Sequence, residues 1–218
     1  MGDLASGRYA DSEEEWLLDG SPYPPYRRIA GLKRSDIATG AGGATIGVSN
    51  FLSVFPAPVQ VGDILNFVTL LAAVVGGTLA HSWVALYNGT TAGAVLLAQS
   101  TDNTTATGWA VGANKVQLAS TVANLGTIGT PQGGGTPAIV PNGPAVWGVA
   151  IYQSGTTLNK FDGMPGGNAG AGLVALTGQA PMVSASTSTI GAVATAPAVL
   201  PAMTPGNGAV PYGLLSRQ

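Results

Sequence analysis

The sequence predicts an all-β fold: an antiparallel β-sandwich of jelly-roll kind, preceded by an extended N-terminal arm that contains one short helix. Three observations lead there. From about residue 40 onward, short β-favouring runs alternate with Gly, Pro, Asn and Thr. The clearest of these runs are apolar on both faces. The charged residues crowd into the first 36 positions and leave the rest nearly neutral.

The charge distribution sets the organisation. The 218 residues suit one compact domain with an arm. Only 8% are charged, where an ordinary domain carries about 25%. Of the 8 basic and 10 acidic residues, twelve lie in the arm: Asp3, Arg8, Asp11, Glu13, Glu14, Glu15, Asp19, Arg27, Arg28, Lys33, Arg34 and Asp36. The remainder holds only Asp63, Asp102, Lys115, Lys160, Asp162 and Arg217. A body of this kind stays in solution through small polar residues, or covers its surface with neighbours without desolvating ions.

Several function classes are excluded at this level. A net charge of −2 gives no electrostatic case for nucleic acid or an anionic membrane. Without cysteine there is no disulfide, thiolate nucleophile or Cys-held zinc. The single histidine, His81, cannot build a multi-histidine zinc set within one chain. The N-terminus lacks the basic and apolar regions of a secretory signal. The longest apolar stretch, 67–75, is interrupted by Thr69 and is too short for a membrane helix of about 20 residues. A soluble chain without cofactors and without membrane insertion is expected.

The arm, residues 1–40, has local logic of its own. Ser12-Glu13-Glu14-Glu15 fits a capping box, and its acids suit the positive end of a helix dipole. Trp16, Leu17 and Leu18 follow, and Gly20 supplies a stop. A helix of about two turns needs something to pack on. Pro22-Tyr23-Pro24-Pro25-Tyr26 then imposes extended backbone, ahead of Arg27-Arg28 and Lys33-Arg34. The expected role is anchoring: Trp16, Leu17, Leu18, Tyr23 and Tyr26 bury against a partner, while Arg27, Arg28, Lys33 and Arg34 pair with its acidic groups.

The body, residues 41–200, reads as a succession of strands. Residues 45–55 form one, ended by Pro56 and Pro58, and residues 63–75 a second. Gly76-Gly77 turns the chain into 80–87, and Asn88-Gly89 opens a turn before 94–100. Strands at 115–122, 145–153, 156–161 and 181–189 follow, with a Gly/Pro loop over 126–144. In 82–87 one face carries Trp83, Ala85 and Tyr87, the other Val84 and Leu86. In 146–152 the faces are Trp147, Val149, Ile151 and Val146, Ala150, Tyr152. Loops, the arm or another subunit should cover the second face. Residues 201–218, with prolines at 201, 205 and 211, read as an extended tail over an adjoining surface.

Candidate chemistry is sparse. Ser49 and Ser82 lack a G-x-S-x-G elbow. Asp63 and Asp102 suit turn chemistry better than a carboxylate pair. Gly166 to Gly172 lacks phosphate-loop spacing. No catalytic, cofactor or metal residue is expected. Trp109 and Tyr152, if exposed, are candidate glycan-stacking residues.

One resemblance extends this reading. Gly62-Asp63-Ile64-Leu65-Asn66-Phe67-Val68, then Leu79 to Tyr87 with its Trp83-Val84-Ala85-Leu86-Tyr87 core, then Leu96-Leu97-Ala98-Gln99-Ser100-Thr101-Asp102 form a module. With Trp109, Lys115 to Ala119 and Trp147 to Ala150, residues 60–155 resemble the β-sandwich modules of minor tail and other virion-surface proteins in tailed phages of actinobacteria. These are packing motifs and carry no catalytic residue. The chain departs from them in its Gly/Pro loop before Trp147, its charged arm and its lack of a fibre shaft. The resemblance implies a non-enzymatic virion protein, assembled with other virion structural proteins and as a homo-oligomer, a trimer by analogy with phage appendages. The alternatives are a capsid decoration protein and a module that binds a host cell-envelope glycan.

Overall fold

The computed structural model describes residues 26–29, 44–45, 49–59, 63, 65–103, 109–120, 128–129, 138–139, 145–164, 186–205 and 210–216. Within them the chain is all-β and antiparallel throughout, with no α-helix. The expected arm helix lies outside the described residues.

The strands in chain order are β1 (Tyr26–Arg28), β2 (Ala44–Thr45), β3 (Phe51–Val59), β4 (Phe67–Val74), β5 (Thr78–Tyr87), β6 (Leu96–Gln99), β7 (Gly112–Gln117), β8 (Ala119–Ser120) and β9 (Ile128–Gly129). They continue as β10 (Ala138–Ile139), β11 (Ala145–Thr157), β12 (Lys160–Phe161), β13 (Gly163–Met164), β14 (Ser186–Thr189), β15 (Thr204–Pro205), β16 (Val210–Pro211) and β17 (Gly213–Ser216). The larger sheet runs β15-β14-β3-β11-β5-β6-β8, with β11 and β5 at its centre. The second sheet is built on β4, which pairs with β7 along one edge. On its other edge β17 covers Phe67 to Leu70 and β12 covers Ala72 and Val74, so those two strands lie end to end. β1 closes this sheet outside β17.

The alternation read from the sequence sorts the core as expected. Trp147, Val149, Ile151, Val84 and Leu86 face one way, into a cluster shared with Val68, Leu70, Ala72, Phe161 and Leu215 of the second sheet. Trp83, Ala85, Tyr87, Ala150 and Tyr152 face the other way. This second face is covered by the chain itself: Ile190, Val193, Ala196, Leu200 and Met203 pack on it. Trp83 stacks on Tyr152 with ring centroids 4.7 Å apart. Among the hydrogen bonds that sew the cover down, three are donated by the rings of the sheet. The Trp83 indole donates to Val193 O at 3.0 Å, Tyr87 Oη donates to Pro197 O at 2.8 Å, and Tyr152 Oη donates to Gly191 O.

Two strand limits differ from expectation. β3 continues through Pro56 and Pro58 to Val59. Strand N–H groups alternate in direction, so two prolines two apart lack their donors on the same side. Past Val54 the described residues pair β3 with β11 alone, and the prolines fit there with their donorless side turned away from β11. The predicted tail is also corrected: β17 is an interior strand between β1 and β4, not a surface extension. Its prolines end at Pro211, and Leu215 beyond them is fully buried.

Gly148 and Gly155 mark close approaches in β11. A Cβ on Gly148 would run into Gly89 O and come within 2.8 Å of Val54 Cγ1. Gly155, at φ +146°, sits in the bulge opposite Thr78 and Leu79, in backbone that side chains rarely adopt.

Candidate functional site

The arm enters the body through an ion pair. β1 offers Arg27, whose Nε and Nη2 each donate to Asp63, at 2.7 Å to Oδ2 and 2.7 Å to Oδ1. The Asp63 side chain is only 2% exposed and that of Arg27 13%. Ile29, just beyond, is fully buried in the shared core. The two-pronged geometry suits a planar guanidinium on a carboxylate and fixes β1 at one register. Sequence reasoning placed Arg27 across an interface and Asp63 in a turn. The structure corrects this, since the two residues, 36 apart in sequence, satisfy each other. The available signal was that an acid next to an apolar run, in a body with few bases, needs a counter-ion.

Tyr26 and Arg28 lie on the same strand, in register with Ser216 and Leu214 of β17. Trp16, Leu17, Leu18, Tyr23, Lys33 and Arg34 fall outside the described residues.

The two candidate glycan residues are interior, which corrects that expectation. Trp109 is 5% exposed and meets the Phe161 ring edge-on at 5.2 Å, while its indole N–H donates to Ser82 Oγ at 3.2 Å. Tyr152 is fully buried against Trp83 and the cover. Large rings on these strands fill the core because each edge has a polar partner inside it. Burial likewise pushes the Tyr87 phenol well above its ordinary range, so it stays a neutral donor.

One polar cluster, at the bulged end of β5, contains groups that sequence reasoning set apart. His81 Nδ1 donates to Asp102 Oδ2 at 2.6 Å, and Asp102 Oδ1 accepts the Ser82 backbone N–H at 2.9 Å. Ser154 of β11 stands opposite His81 in the ladder, and its Oγ is buried without a hydrogen-bond partner among the described residues. The order Asp–His–Ser invites comparison with a nucleophilic triad. The geometry differs in two respects. Ser154 Oγ is enclosed and makes no bond to the imidazole. The next amide, Gly155 N–H, which could have stabilised an oxyanion, donates instead to Ser49 Oγ at 2.9 Å. What the cluster does is pin residues 100–103 to β5, together with Ser100 Oγ, which accepts the Val84 N–H at 3.0 Å.

Two surfaces remain. The cover over the larger sheet exposes Ala192, Ala194, Ala198, Val199 and Ala202, beside Val95 and Val146, and residues 190–203 contain no charged side chain. The outer face of the second sheet instead holds Phe67, Thr69 and Leu71 of β4, all half-buried, and the exposed Lys115 of β7. Lys115 Nζ lies 4.3 Å from the centroid of the Phe67 ring. No helix among the described residues is long and apolar enough to cross a membrane. The chain matches no family model and no curated protein sequence.

Proposed function

We propose that this protein is a non-enzymatic structural component of a tailed-phage virion, a minor tail or tail-tip protein that assembles through its N-terminal arm. In this reading the two sheets form a β-sandwich of jelly-roll kind, and the homo-oligomer is a trimer. The observation that carries it is the neutral surface. Residues 190–203 and the neighbouring Val95 and Val146 present small apolar groups with no ion to desolvate when another subunit covers them. The mounting of the arm supports the same reading: β1 is locked by Arg27 and Asp63 at the margin of a sheet, and the charged residues 1–25 continue from there. The resemblance over residues 60–155 supplies the virion context, tail in preference to head.

Sedimentation of the full chain together with incorporation into particles tests this. A stable oligomer for the full chain, and loss of incorporation when residues 1–25 are removed, is the expected result. A monomer that incorporates normally without those residues overturns it. Immunogold labelling of intact particles separates a tail position from a decoration of the head.

A further inference from the structure

We infer that the outer face of the second sheet is the receptor for the acidic arm segment, residues 11–19, of a neighbouring copy; this rests on the assembly reading above. The face is apolar at its middle and basic at its margin. Phe67, Leu71 and Leu214 are half-buried there, in a row across β17 and β4. Lys115 is exposed beside them, opposite Thr69, and Lys160 of β12 alternates with the buried Phe161 and so belongs to the same face. These two lysines are half of the four basic residues on described strands; Arg27 is turned inward onto Asp63, and Arg28 is the register partner of Leu214. Asp162 is the acid at this margin, following Lys160 and Phe161.

Residues 11–19 supply the complement. They read Asp-Ser-Glu-Glu-Glu-Trp-Leu-Leu-Asp, five acids and no base around Trp16, Leu17 and Leu18. A segment this short gains a fixed conformation only from what it packs on. Three apolar side chains among acids match a half-buried apolar row edged by lysines, whereas the neutral cover of the larger sheet offers the acids no partner.

The connection argues for a second copy over the same chain. Residues 20–25 include Pro22, Pro24 and Pro25, and a proline-rich spacer of that length is semi-rigid and about 19 Å long. The owner's own face begins at once, beside β1, and extends about 14 Å across β17, β4 and β7. A stiff spacer longer than that face is wide overshoots it and favours delivery of residues 11–19 to a neighbour's face.

The cysteine-free chain makes a direct test possible. In the full-length protein, Leu17→Cys combined with Ala113→Cys, an exposed position opposite Leu71, is oxidised and run without reductant. Cross-links between chains are expected, and Leu17→Cys with Ala202→Cys on the neutral cover should give none. Lys115→Glu with Lys160→Glu should lower the cross-linked fraction about tenfold, and Glu13→Lys with Glu15→Lys should restore it. Cross-links confined to single chains overturn the neighbouring-copy assignment. Absence of any cross-link at position 113, with the arm still needed for incorporation, places the receptor elsewhere and leaves the assembly reading standing. Absence of both removes the two together.

Discussion

Replacing Arg27 by Met removes a guanidinium that holds a carboxylate only 2% exposed by two bonds of 2.7 Å. The general cost of breaking a buried pair from one side is about 3–5 kcal/mol, because the remaining charge stays desolvated. Asp63 keeps a further interaction and Arg27 is slightly exposed, so the lower end, about 3 kcal/mol, is expected. With a urea slope of about 2 kcal/mol/M this moves the unfolding midpoint down by about 1.5 M. The double variant Arg27→Met with Asp63→Leu, which removes both ions, should recover most of the loss, since a buried pair and an apolar pair differ little. Limited trypsin digestion adds a local readout: in the single variant β1 loosens and cleavage after Arg28 accelerates. A midpoint within about 0.25 M of the parent for Arg27→Met would refute the argument that this pair mounts the arm.

Other outcomes follow from packing and burial. Gly148→Ala should cost about 1–3 kcal/mol in chemical denaturation because its methyl meets the Gly89 backbone, whereas Gly77→Ala, with nothing within 4 Å, should be close to neutral. Trp109→Ala should destabilise by about 3–5 kcal/mol through loss of the Phe161 contact and the Ser82 bond, the signature of a core ring. The Tyr87 phenol, raised by burial above its ordinary 10.0, keeps its proton in the fold after the unfolded chain has lost it. Its contribution is therefore complete below pH 10 and declines above it by up to about 1.4 kcal/mol per pH unit, a slope that Tyr87→Phe should reduce in urea titrations at pH 9 to 11.

What could be read in advance was whatever depends on period-two alternation. The faces of 82–87 and 146–152 were legible because β-branched and aromatic residues sort to two sides of a pleat without long-range information. Pro56 and Pro58 misled because a proline ends a strand only when its missing donor faces a partner, and the edge that each residue faces is set by tertiary pairing. β17 was obscured in the same way, its four residues standing just past a proline-rich run whose composition dominates the local signal. Residues 190–203 are mostly Ala, Pro, Val and Gly, with Ile190, Leu200 and Met203 spaced at no regular period, so nothing local marked them as the lid of the core. For the candidate site, the Arg27 to Asp63 contact and the His81, Asp102 and Ser154 cluster join positions far apart in sequence. The composition showed that the arm differs from the body, and only the fold shows where one is riveted to the other.

The place of β17 also fixes an order of events. Its ladder partners come from residues 26–28 on one side and 67–70 on the other, so these edges wait for their partner until residues 213–216 have been synthesised. The seating of β1 is therefore among the last steps of the fold. A shortened chain lacking 213–216 leaves β1 without its ladder partner, and Arg27 loses the strand that sets its register against Asp63.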